Sequence, residues 1–373
     1  MSRFEPPPLV WETLGDLRAR AEAHPGGPID LTIGTPVDAP PRFVVDALAR
    51  SGTERGYPPS IGSAAFREAA AGWMQRRLGV AVDPALVAAT IGSKELVAGL
   101  PHWLRLRDPG RDTVLFPATS YPTYEMGARL ASCRAVAVPR RPDGALDLDA
   151  VPAAEAARAL CLWSNSPGNP TGQLDDLAAA AAWGREHGVP VLSDECYAEL
   201  TWSGRPRTVL EHGVDGVLAV HSLSKRSNLA GVRAGFYAGD AELVAYLSQL
   251  RKHAGFMVPG PVQAAAAAAL ADDDHVDEQR ARYRARLEAA VAALRALGLG
   301  ATMPGGAFYL WVPAPAGDGD ALTRWFASAA GVLVTPGRTY GPDGAGFVRL
   351  ALVQPDDVVA DLVERLGAAR GPA

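Results

Sequence analysis

Lysine is scarce in this chain. Only three of its 36 lysine and arginine residues are lysines, and the other 33 are arginines. An arginine side chain stays protonated in proteins, whereas a lysine can lose its proton and act as a nucleophile. We therefore expect a chemical role for at least one of the lysines that remain, which are Lys94, Lys225 and Lys252.

Cysteine is rare as well. The three cysteines are isolated from one another, with no C-x-x-C pair and no histidines at the spacing of a zinc site. The sequence therefore predicts no metal site, and it predicts reduced, small core residues at Cys133, Cys161 and Cys196.

The sequence has neither an excess of positive charge nor a long apolar run. A net charge of -5 and a pI near 5.8 argue against a nucleic acid partner, since binding to phosphates needs a basic face. The run Ala264 to Leu270 is too short to cross a bilayer, and the first residues, with Pro6 to Pro8, lack the apolar core of a signal peptide. We expect a cytoplasmic protein that binds small molecules.

The order of apolar segments predicts the fold class. From Val87 to Ala238, short apolar segments alternate with helical ones, which indicates an α/β fold with a mostly parallel sheet and helices on both faces. Past Ala241 the pattern is mainly helical. The length of 373 residues allows a large core and roughly two domains.

One stretch carries the sharpest chemical signal. It contains Ser222, Ser224 and Lys225, with Arg233 eight residues after the lysine. The two hydroxyls and the guanidinium suit phosphate oxygens, and Lys225 supplies an amine. The stretch resembles the lysine motif of the class I/II pyridoxal-phosphate aminotransferases. The resemblance implies that Lys225 binds the aldehyde of pyridoxal 5'-phosphate covalently and later carries a proton.

Two further segments lie where α/β folds bind ligands. An apolar strand over 189–193 ends at Asp194, and the carboxyl ends of such strands form ligand sites. The resemblance implies that Asp194 pairs with the cofactor ring nitrogen and that Tyr197 donates to its phenolic oxygen. Ser93 and Lys94 follow another strand at the start of a helix, which favours a phosphate site. Lys94 also suits a substrate contact or a salt bridge.

Other motifs occur in the order of the family. The loop Ser164 to Gly172 resembles the N-P-x-N-P-T-G segment, which implies that Asn169 contacts the phenolic oxygen and the substrate. The resemblance also implies that Tyr121 stacks on the cofactor ring. A core-packing tyrosine would have the same sequence signature.

The residues predicted to bind the substrate come from segments near both ends of the chain. Gly34, in the L-x-x-G-x-P segment, is implied to let the backbone approach the substrate carboxylate, and Arg349 to bind the α-carboxylate. Tyr57 is implied to reach the cofactor phosphate of the neighbouring subunit in a homodimer. In isolation, each of the three also suits a purely structural role.

The resemblance covers nearly the whole chain and implies the organisation of fold type I. A large cofactor-binding domain is predicted over 36–265. A smaller α+β domain is predicted from both chain ends, with an arm and part of this domain over 1–35 and the remainder over 266–373.

Two segments resemble one branch of the family. Gly92 to Pro101 and Tyr121 to Leu130 are similar to actinobacterial succinyldiaminopimelate transaminases of lysine biosynthesis. This branch predicts transamination between N-succinyl-L,L-2,6-diaminopimelate and 2-oxoglutarate. The alternatives are an aspartate, alanine or aromatic aminotransferase, a pyridoxal-phosphate-dependent C–S β-lyase, and a non-catalytic sensor of the same fold.

Overall fold

The structure, a computed structural model, describes residues 5–8 and 10–372. None of the helices in these ranges is both long enough and apolar enough to cross a membrane. The α-helices are α1 (Gly15–Glu22), α2 (Arg42–Ala49), α3 (Ala64–Trp73), α4 (Ser93–Arg107), α5 (Thr123–Leu130), α6 (Ala153–Arg158), α7 (Leu177–His187), α8 (Leu223–Arg226), α9 (Ala241–His253), α10 (Gly260–Ala271), α11 (Asp274–Ala296), α12 (Gly319–Ala330) and α13 (Asp356–Ala368). The β-strands are β1 (Ile29–Asp30), β2 (Val87–Thr90), β3 (Thr113–Pro117), β4 (Arg134–Val138), β5 (Ala159–Asn165), β6 (Val191–Asp194), β7 (Val217–Ser222), β8 (Gly235–Gly239), β9 (Tyr309–Pro313), β10 (Val332–Leu333), β11 (Thr335–Pro336) and β12 (Phe347–Ala351).

Short polar residues begin several of these helices. At the start of α3, the Ser63 hydroxyl accepts a hydrogen bond from the Phe66 N–H. Such a cap satisfies a backbone donor that has no partner inside the helix. At the starts of α7, α9 and α12, a backbone N–H group donates the equivalent bond to the side-chain carboxylate of Asp176, Asp240 and Asp318, respectively.

The chain divides into two compact units. The larger comprises residues 35–282 and 305–307, and the smaller comprises residues 1–34, 283–304 and 308–373, of which residues 1–4, 9 and 373 lie outside the described residues. The sequence-based division into 1–35, 36–265 and 266–373 remains a proposal. Its position 265/266 lies within α10, whereas the units divide at 282/283 within α11.

A seven-stranded sheet forms the centre of the large unit. Its strand order is β2-β8-β7-β6-β5-β3-β4. The strands from β7 to β4 run parallel to one another, and β8 runs antiparallel to both of its neighbours. The predicted α/β class with a mostly parallel sheet is confirmed. Because parallel strands end at the same edge, the last residues of β5, β6 and β7 lie side by side.

Both faces of this sheet are buried. In β5, Leu162 packs into one hydrophobic cluster, while its neighbours Cys161 and Trp163 pack into another. The same alternation occurs in β6, where Val191 and Leu192 belong to different clusters. Adjacent side chains of a strand point to opposite faces, so helices cover both sides and the strands are apolar throughout.

The small unit joins segments from both ends of the chain. β1 pairs in parallel with β10, and a separate antiparallel sheet has the order β11-β12-β9. In that sheet Arg349 of β12 lies opposite Trp311 of β9 and Thr335 of β11. The predicted smaller α+β part built from both chain ends is therefore confirmed.

Candidate active site

Three polar residues lie at the carboxyl edge of the large sheet. Asn165, Asp194 and Ser222 are the last residues of β5, β6 and β7. Asn165 lies directly opposite Asp194 in the ladder, and its amide donates a 2.8 Å hydrogen bond to the Asp194 carbonyl oxygen. The strand pattern thus brings residues that are far apart in sequence to one edge.

Asp194 carries a buried carboxylate with two donors. Its Oδ2 accepts a 2.9 Å hydrogen bond from the Tyr124 hydroxyl, and its Oδ1 accepts a 3.2 Å bond from the Cys196 N–H. Burial raises the pKa of Asp194, whereas these bonds and the charge of Lys225 lower it. The site can therefore pair with a cationic group at this carboxylate.

Lys225 lies on the short helix α8, directly after β7. The Ser222 hydroxyl caps this helix by accepting from the Ser224 N–H at 3.2 Å, and it also donates to the Ser224 hydroxyl at 3.0 Å. Both serines are buried, while Lys225 is half-buried. Asp194 lies opposite Val220 of β7, and Lys225 follows the end of that strand by three residues, so the predicted lysine and the predicted aspartate lie at the same sheet edge.

The loop after β5 holds Asn169 close to this edge. The Asn169 N–H donates a 2.8 Å hydrogen bond to the Asn165 side-chain oxygen, and Gly172 N–H donates to the Gly168 carbonyl at 2.8 Å. Asn169 is buried, and so is Tyr197, three residues beyond Asp194. The structure brings these two predicted residues to the same edge as Asp194.

A group of cationic and polar residues lies at the start of α4. Gly92 precedes α4 with a φ of +71°, and a Cβ at this position would lie 2.2 Å from Arg233 Nη2. Arg233 therefore packs directly on the turn that leads to Ser93. The Ser93 hydroxyl is also 3.1 Å from the Cys196 sulfur, which connects this turn to the strand end of Asp194. Together with the free N–H groups of a helix start, these residues suit a phosphate.

Tyr121 and Lys94 lie next to each other beside this group. The Lys94 Nζ is 5.8 Å from the centre of the Tyr121 ring. The Tyr121 ring in turn contacts the Tyr124 ring edge to face, with centroids 6.3 Å apart. The predicted stacking residue is thus adjacent to the tyrosine that donates to Asp194.

The remaining predicted residues are Tyr57, Gly34 and Arg349. Tyr57 has 97% of its surface exposed. Gly34 and Arg349 belong to the small unit, where a Cβ on Gly34 would lie 2.2 Å from the Tyr309 hydroxyl oxygen. The position requires glycine because the Tyr309 side chain, which belongs to the same unit, lies too close for any other residue. The predicted approach of the Gly34 backbone to a substrate carboxylate remains a proposal.

The sequence assigned no role to Tyr124 or Asn165. The Tyr124 hydroxyl donates to the carboxylate of Asp194, and the Asn165 amide donates to the backbone carbonyl of Asp194. For Tyr124 the one available signal is its position three residues after Tyr121, at the start of α5, so that both tyrosines lie near one strand edge.

Similar proteins agree with this geometry. The model of the family "Aminotransferase class I and II" matches residues 27–366. A 4-dedimethylamino-4-oxo-anhydrotetracycline transaminase of Streptomyces rimosus is 44% identical over 97% of this chain and 99% of its own. An LL-diaminopimelate aminotransferase of Desulforudis audaxviator is 37% identical over 98% of this chain and 96% of its own. The solved structure of a probable N-succinyldiaminopimelate aminotransferase from Thermus thermophilus has a TM-score of 0.86 at 34% identity, over 96% of this chain and 99% of that one. The chain therefore belongs to the class I and II aminotransferases, a family that depends on pyridoxal 5'-phosphate.

Proposed function

We propose that this aminotransferase moves the α-amino group of N-succinyl-L,L-2,6-diaminopimelate to 2-oxoglutarate, as a step of lysine and diaminopimelate biosynthesis. Amino acids and oxo acids are the substrates of its family. The identity of the amino donor is the part that we infer, and the adjacent Lys94 and Tyr121 carry the inference.

The residues at the carboxyl edge fit the cofactor. Asp194 offers a buried carboxylate, held by two donors, to a protonated ring nitrogen. Arg233, Ser93 and the start of α4 offer donors to a phosphate, and the capped helix α8 presents the Lys225 amine. When bound, pyridoxal 5'-phosphate supplies an electron sink for the bond that breaks at the substrate α-carbon.

The side chains divide the remaining work. Asp194 keeps a proton on the ring nitrogen, because an anion in a buried site favours the cationic form of its partner. Lys225 would act as the general acid and base that moves the proton at the substrate α-carbon, a role that contributes about 10² to 10⁴ in rate. Asn169 and Tyr197 bind the phenolic oxygen and orient the ring.

Two cations are proposed to select the substrate. Arg349 binds the α-carboxylate, which donor and acceptor share. Lys94 binds the distal carboxylate that the succinyl group adds. Lys94 lies in the first turn of α4, with its Nζ 5.8 Å from the ring of Tyr121. A substrate next to the proposed stacking residue would therefore meet this charge.

The relatives support a diaminopimelate-type donor, and they also favour a second candidate. One relative is named an LL-diaminopimelate aminotransferase, and one solved structure a probable N-succinyldiaminopimelate aminotransferase. The 44% identity to a 4-dedimethylamino-4-oxo-anhydrotetracycline transaminase favours an amino group transferred to a ring ketone. The two candidates differ in whether the acceptor carries a carboxylate beside its oxo group.

A panel of substrates separates these candidates. With 2-oxoglutarate as acceptor, we expect N-succinyl-L,L-2,6-diaminopimelate to give the highest kcat/KM among donors that also include L,L-diaminopimelate, aspartate, alanine and phenylalanine. Lys94→Met should lower kcat/KM for the succinylated donor and leave alanine nearly unchanged. A best rate with the unsuccinylated or another donor, or with the tetracycline ketone as acceptor, would reject the proposed substrate. Pyruvate and ammonia from cysteine would indicate the β-lyase.

The role of Lys225 is tested with the same protein, because the chain has only three lysines. Borohydride reduction of the holoenzyme followed by peptide mass analysis should find the cofactor on Lys225. Lys225→Ala should abolish turnover and the lysine-linked absorbance, whereas Lys252→Arg should retain both. A label on Lys94 or Lys252 would contradict the assignment.

We further propose a homodimer in which Tyr57 completes the neighbouring site, in line with the exposure of its ring. Mixing Lys225→Ala protein with Tyr57→Ala protein tests this. A hybrid dimer contains one site with both residues intact if Tyr57 acts across the interface, so activity should recover to about a quarter of the wild-type level. No recovery after subunit exchange would contradict the proposal.

A further inference from the structure

The guanidinium of Arg349 contacts two tyrosine rings within the small unit. Its Cζ lies 4.4 Å from the centre of the Tyr309 ring and 5.0 Å from that of Tyr340. Both distances are within the range of a cation–π interaction, which is strongest where water is excluded. All three side chains are at least 95% buried, so this condition holds.

The register of the small sheet places Tyr309 beside Arg349. Arg349 of β12 lies opposite Trp311 of β9, and Tyr309 lies opposite Ala351, two residues further along. Residues two apart on a strand share a face, so Tyr309 is a diagonal neighbour of Arg349. Tyr340 arrives from a different element, the 3-10 turn Gly337–Tyr340 that follows β11.

Other residues fix the two rings in place. The Tyr340 ring packs edge to face on Trp311 at 5.8 Å, and Trp311 stacks on Phe347 at 5.0 Å with an interplanar angle of 8°. The Tyr309 hydroxyl occupies the space where any residue other than glycine at position 34 would place its Cβ. Trp311 and Phe347 therefore fix the position of the Tyr340 ring, and the space at Gly34 accommodates the Tyr309 hydroxyl.

Hydrogen bonds hold one end of the guanidinium. Arg349 Nη2 donates to the Thr32 carbonyl at 2.5 Å and lies 3.5 Å from the Thr335 hydroxyl, which itself donates to the Thr32 carbonyl at 3.1 Å. These partners and the two rings are uncharged, and together they orient the cation. The N–H groups of a guanidinium lie in its plane, and a carboxylate that binds as a fork must approach in that plane.

We propose that Tyr309 and Tyr340 are positioning residues for the substrate α-carboxylate: they cover the face of Arg349 and fix the plane in which its fork binds. The proposal rests on the proposed role of Arg349. Because donor and acceptor both carry an α-carboxylate, the tyrosine pair should set the KM of both substrates while leaving the proton transfer at Lys225 unaffected.

The test uses the holoenzyme and two changes of Tyr340. Tyr340→Leu removes the ring, and we expect KM for donor and acceptor to rise about tenfold or more, with kcat and the cofactor absorbance little changed. Tyr340→Phe keeps the ring and should retain a KM within about twofold of the wild type. An unchanged KM in Tyr340→Leu, or an equal rise in Tyr340→Phe, would overturn the proposal.

Arg349→Lys separates this proposal from the function on which it rests. If Arg349 binds the carboxylate, Arg349→Lys raises KM by itself, and Tyr340→Leu then adds less than it does in the wild type because the planar cation is already gone. An unchanged KM in Arg349→Lys would remove the role of Arg349. A raised KM in Arg349→Lys together with full additivity would overturn only the tyrosine pair. If Tyr340→Leu does not fold, Tyr309→Leu in the same cycle gives the same comparison.

Discussion

The Tyr124 hydroxyl donates a 2.9 Å hydrogen bond to Oδ2 of Asp194, in a place where both side chains are buried. Burial and the nearby Asp194 charge hold the pKa of Tyr124 well above its usual value, so its hydroxyl remains a donor. The Tyr124 ring stacks on Trp163 at 5.2 Å, which fixes its direction. Tyr124 thus stabilises the anionic form of Asp194 against the cost of burial.

Tyr124→Phe should lower activity by changing this carboxylate. We expect kcat/KM to fall about ten- to a hundredfold, because a hydrogen bond to a charged group contributes about 1.5–3 kcal/mol. The pKa of Asp194 rises when the donor is lost, so the acidic limb of the pH–rate profile should move to higher pH. Tyr246→Phe is the control, since its hydroxyl donates to the Trp103 carbonyl, at 2.7 Å. Equal kcat/KM values for both variants would contradict the role of Tyr124.

The fold was predictable because its strands are buried on both faces. The apolar segments 113–116, 159–163 and 217–220 predict strands that the structure has at Thr113–Pro117, Ala159–Asn165 and Val217–Ser222. A strand with two apolar faces is a continuous apolar run, which is visible in the sequence alone. The antiparallel direction of β8 follows from its pairing with β7 and β2, which a single segment does not encode.

The site was predictable only where motifs are local. The Ser222 cap on α8 and the glycine turn before Ser93 involve residues within a few positions of each other. By contrast, Tyr124 and Asp194 are 70 residues apart, and their contact depends on the order of strands in the sheet. No local pattern states which tyrosine hydroxyl reaches which carboxylate.

Glu195 and His221 form a buried neutral pair rather than an ion pair. Their Oε2 and Nε2 atoms are 3.4 Å apart, close enough for a salt bridge. Burial, however, raises the pKa of Glu195 to about 8 and lowers that of His221 to about 3. Near pH 7 the carboxyl therefore keeps its proton and the imidazole is uncharged.

This pair predicts a pH dependence of stability. Between its unfolded value of 4.5 and about 8, the folded Glu195 keeps a proton that the unfolded chain releases, so it makes stability fall as the pH rises. His221 acts in the opposite direction only between about 3 and 6.5, where the unfolded chain is protonated. Above pH 6.5, only Glu195 of this pair still makes the free energy of unfolding depend on pH. Its contribution falls by up to about 1.4 kcal/mol per pH unit.

Urea unfolding of Glu195→Gln between pH 6.5 and 8 measures this effect. The variant cannot titrate at position 195, so the fall of its unfolding free energy with pH should be shallower than that of the wild type. Glu186→Gln, on the exposed side of α7, should keep the wild-type slope. A parallel pair of curves for Glu195→Gln and the wild type would show that the carboxyl is ionised in the folded protein.

Gly92→Ala should weaken cofactor binding. A Cβ at this position would lie 2.2 Å from Arg233 Nη2 and 2.7 Å from its Cζ, and the backbone angles φ +71° and ψ 168° cost a residue with a side chain about 1–3 kcal/mol. Arg233 must move away from the start of α4, so the dissociation constant of the cofactor should rise about tenfold or more in an absorbance titration of the apoenzyme. Gly79→Ala is the matched control, since its φ is +74° and nothing lies within 4 Å of its added Cβ. Equal dissociation constants would exclude Arg233 from the phosphate site.

Glu199 lies between two arginines, and one of them is the neighbour of Lys225 in the sequence. Its Oε1 accepts a 2.7 Å hydrogen bond from Arg77 Nε, and its Oε2 accepts one from Arg226 Nε. Glu199 and Arg226 are almost fully buried, and Arg226 directly follows Lys225. Arg226 also donates to the Ala269 carbonyl at 2.8 Å, which connects α8 to the end of α10.

Removing the Glu199 carboxylate while Arg226 stays in place should therefore destabilise the protein. Glu199→Gln leaves the buried Arg226 without its counter-charge, and we expect a loss of about 3–5 kcal/mol in the free energy of unfolding by urea. Adding Arg226→Met to Glu199→Gln removes the unpaired charge, so the double variant should lose less than the sum of the two single changes. Glu288→Gln breaks the exposed Arg284–Glu288 pair, and because that pair is solvated the loss should stay below about 0.5 kcal/mol. If Glu199→Gln loses no more than Glu288→Gln, the buried pair makes no net contribution to the stability of the protein.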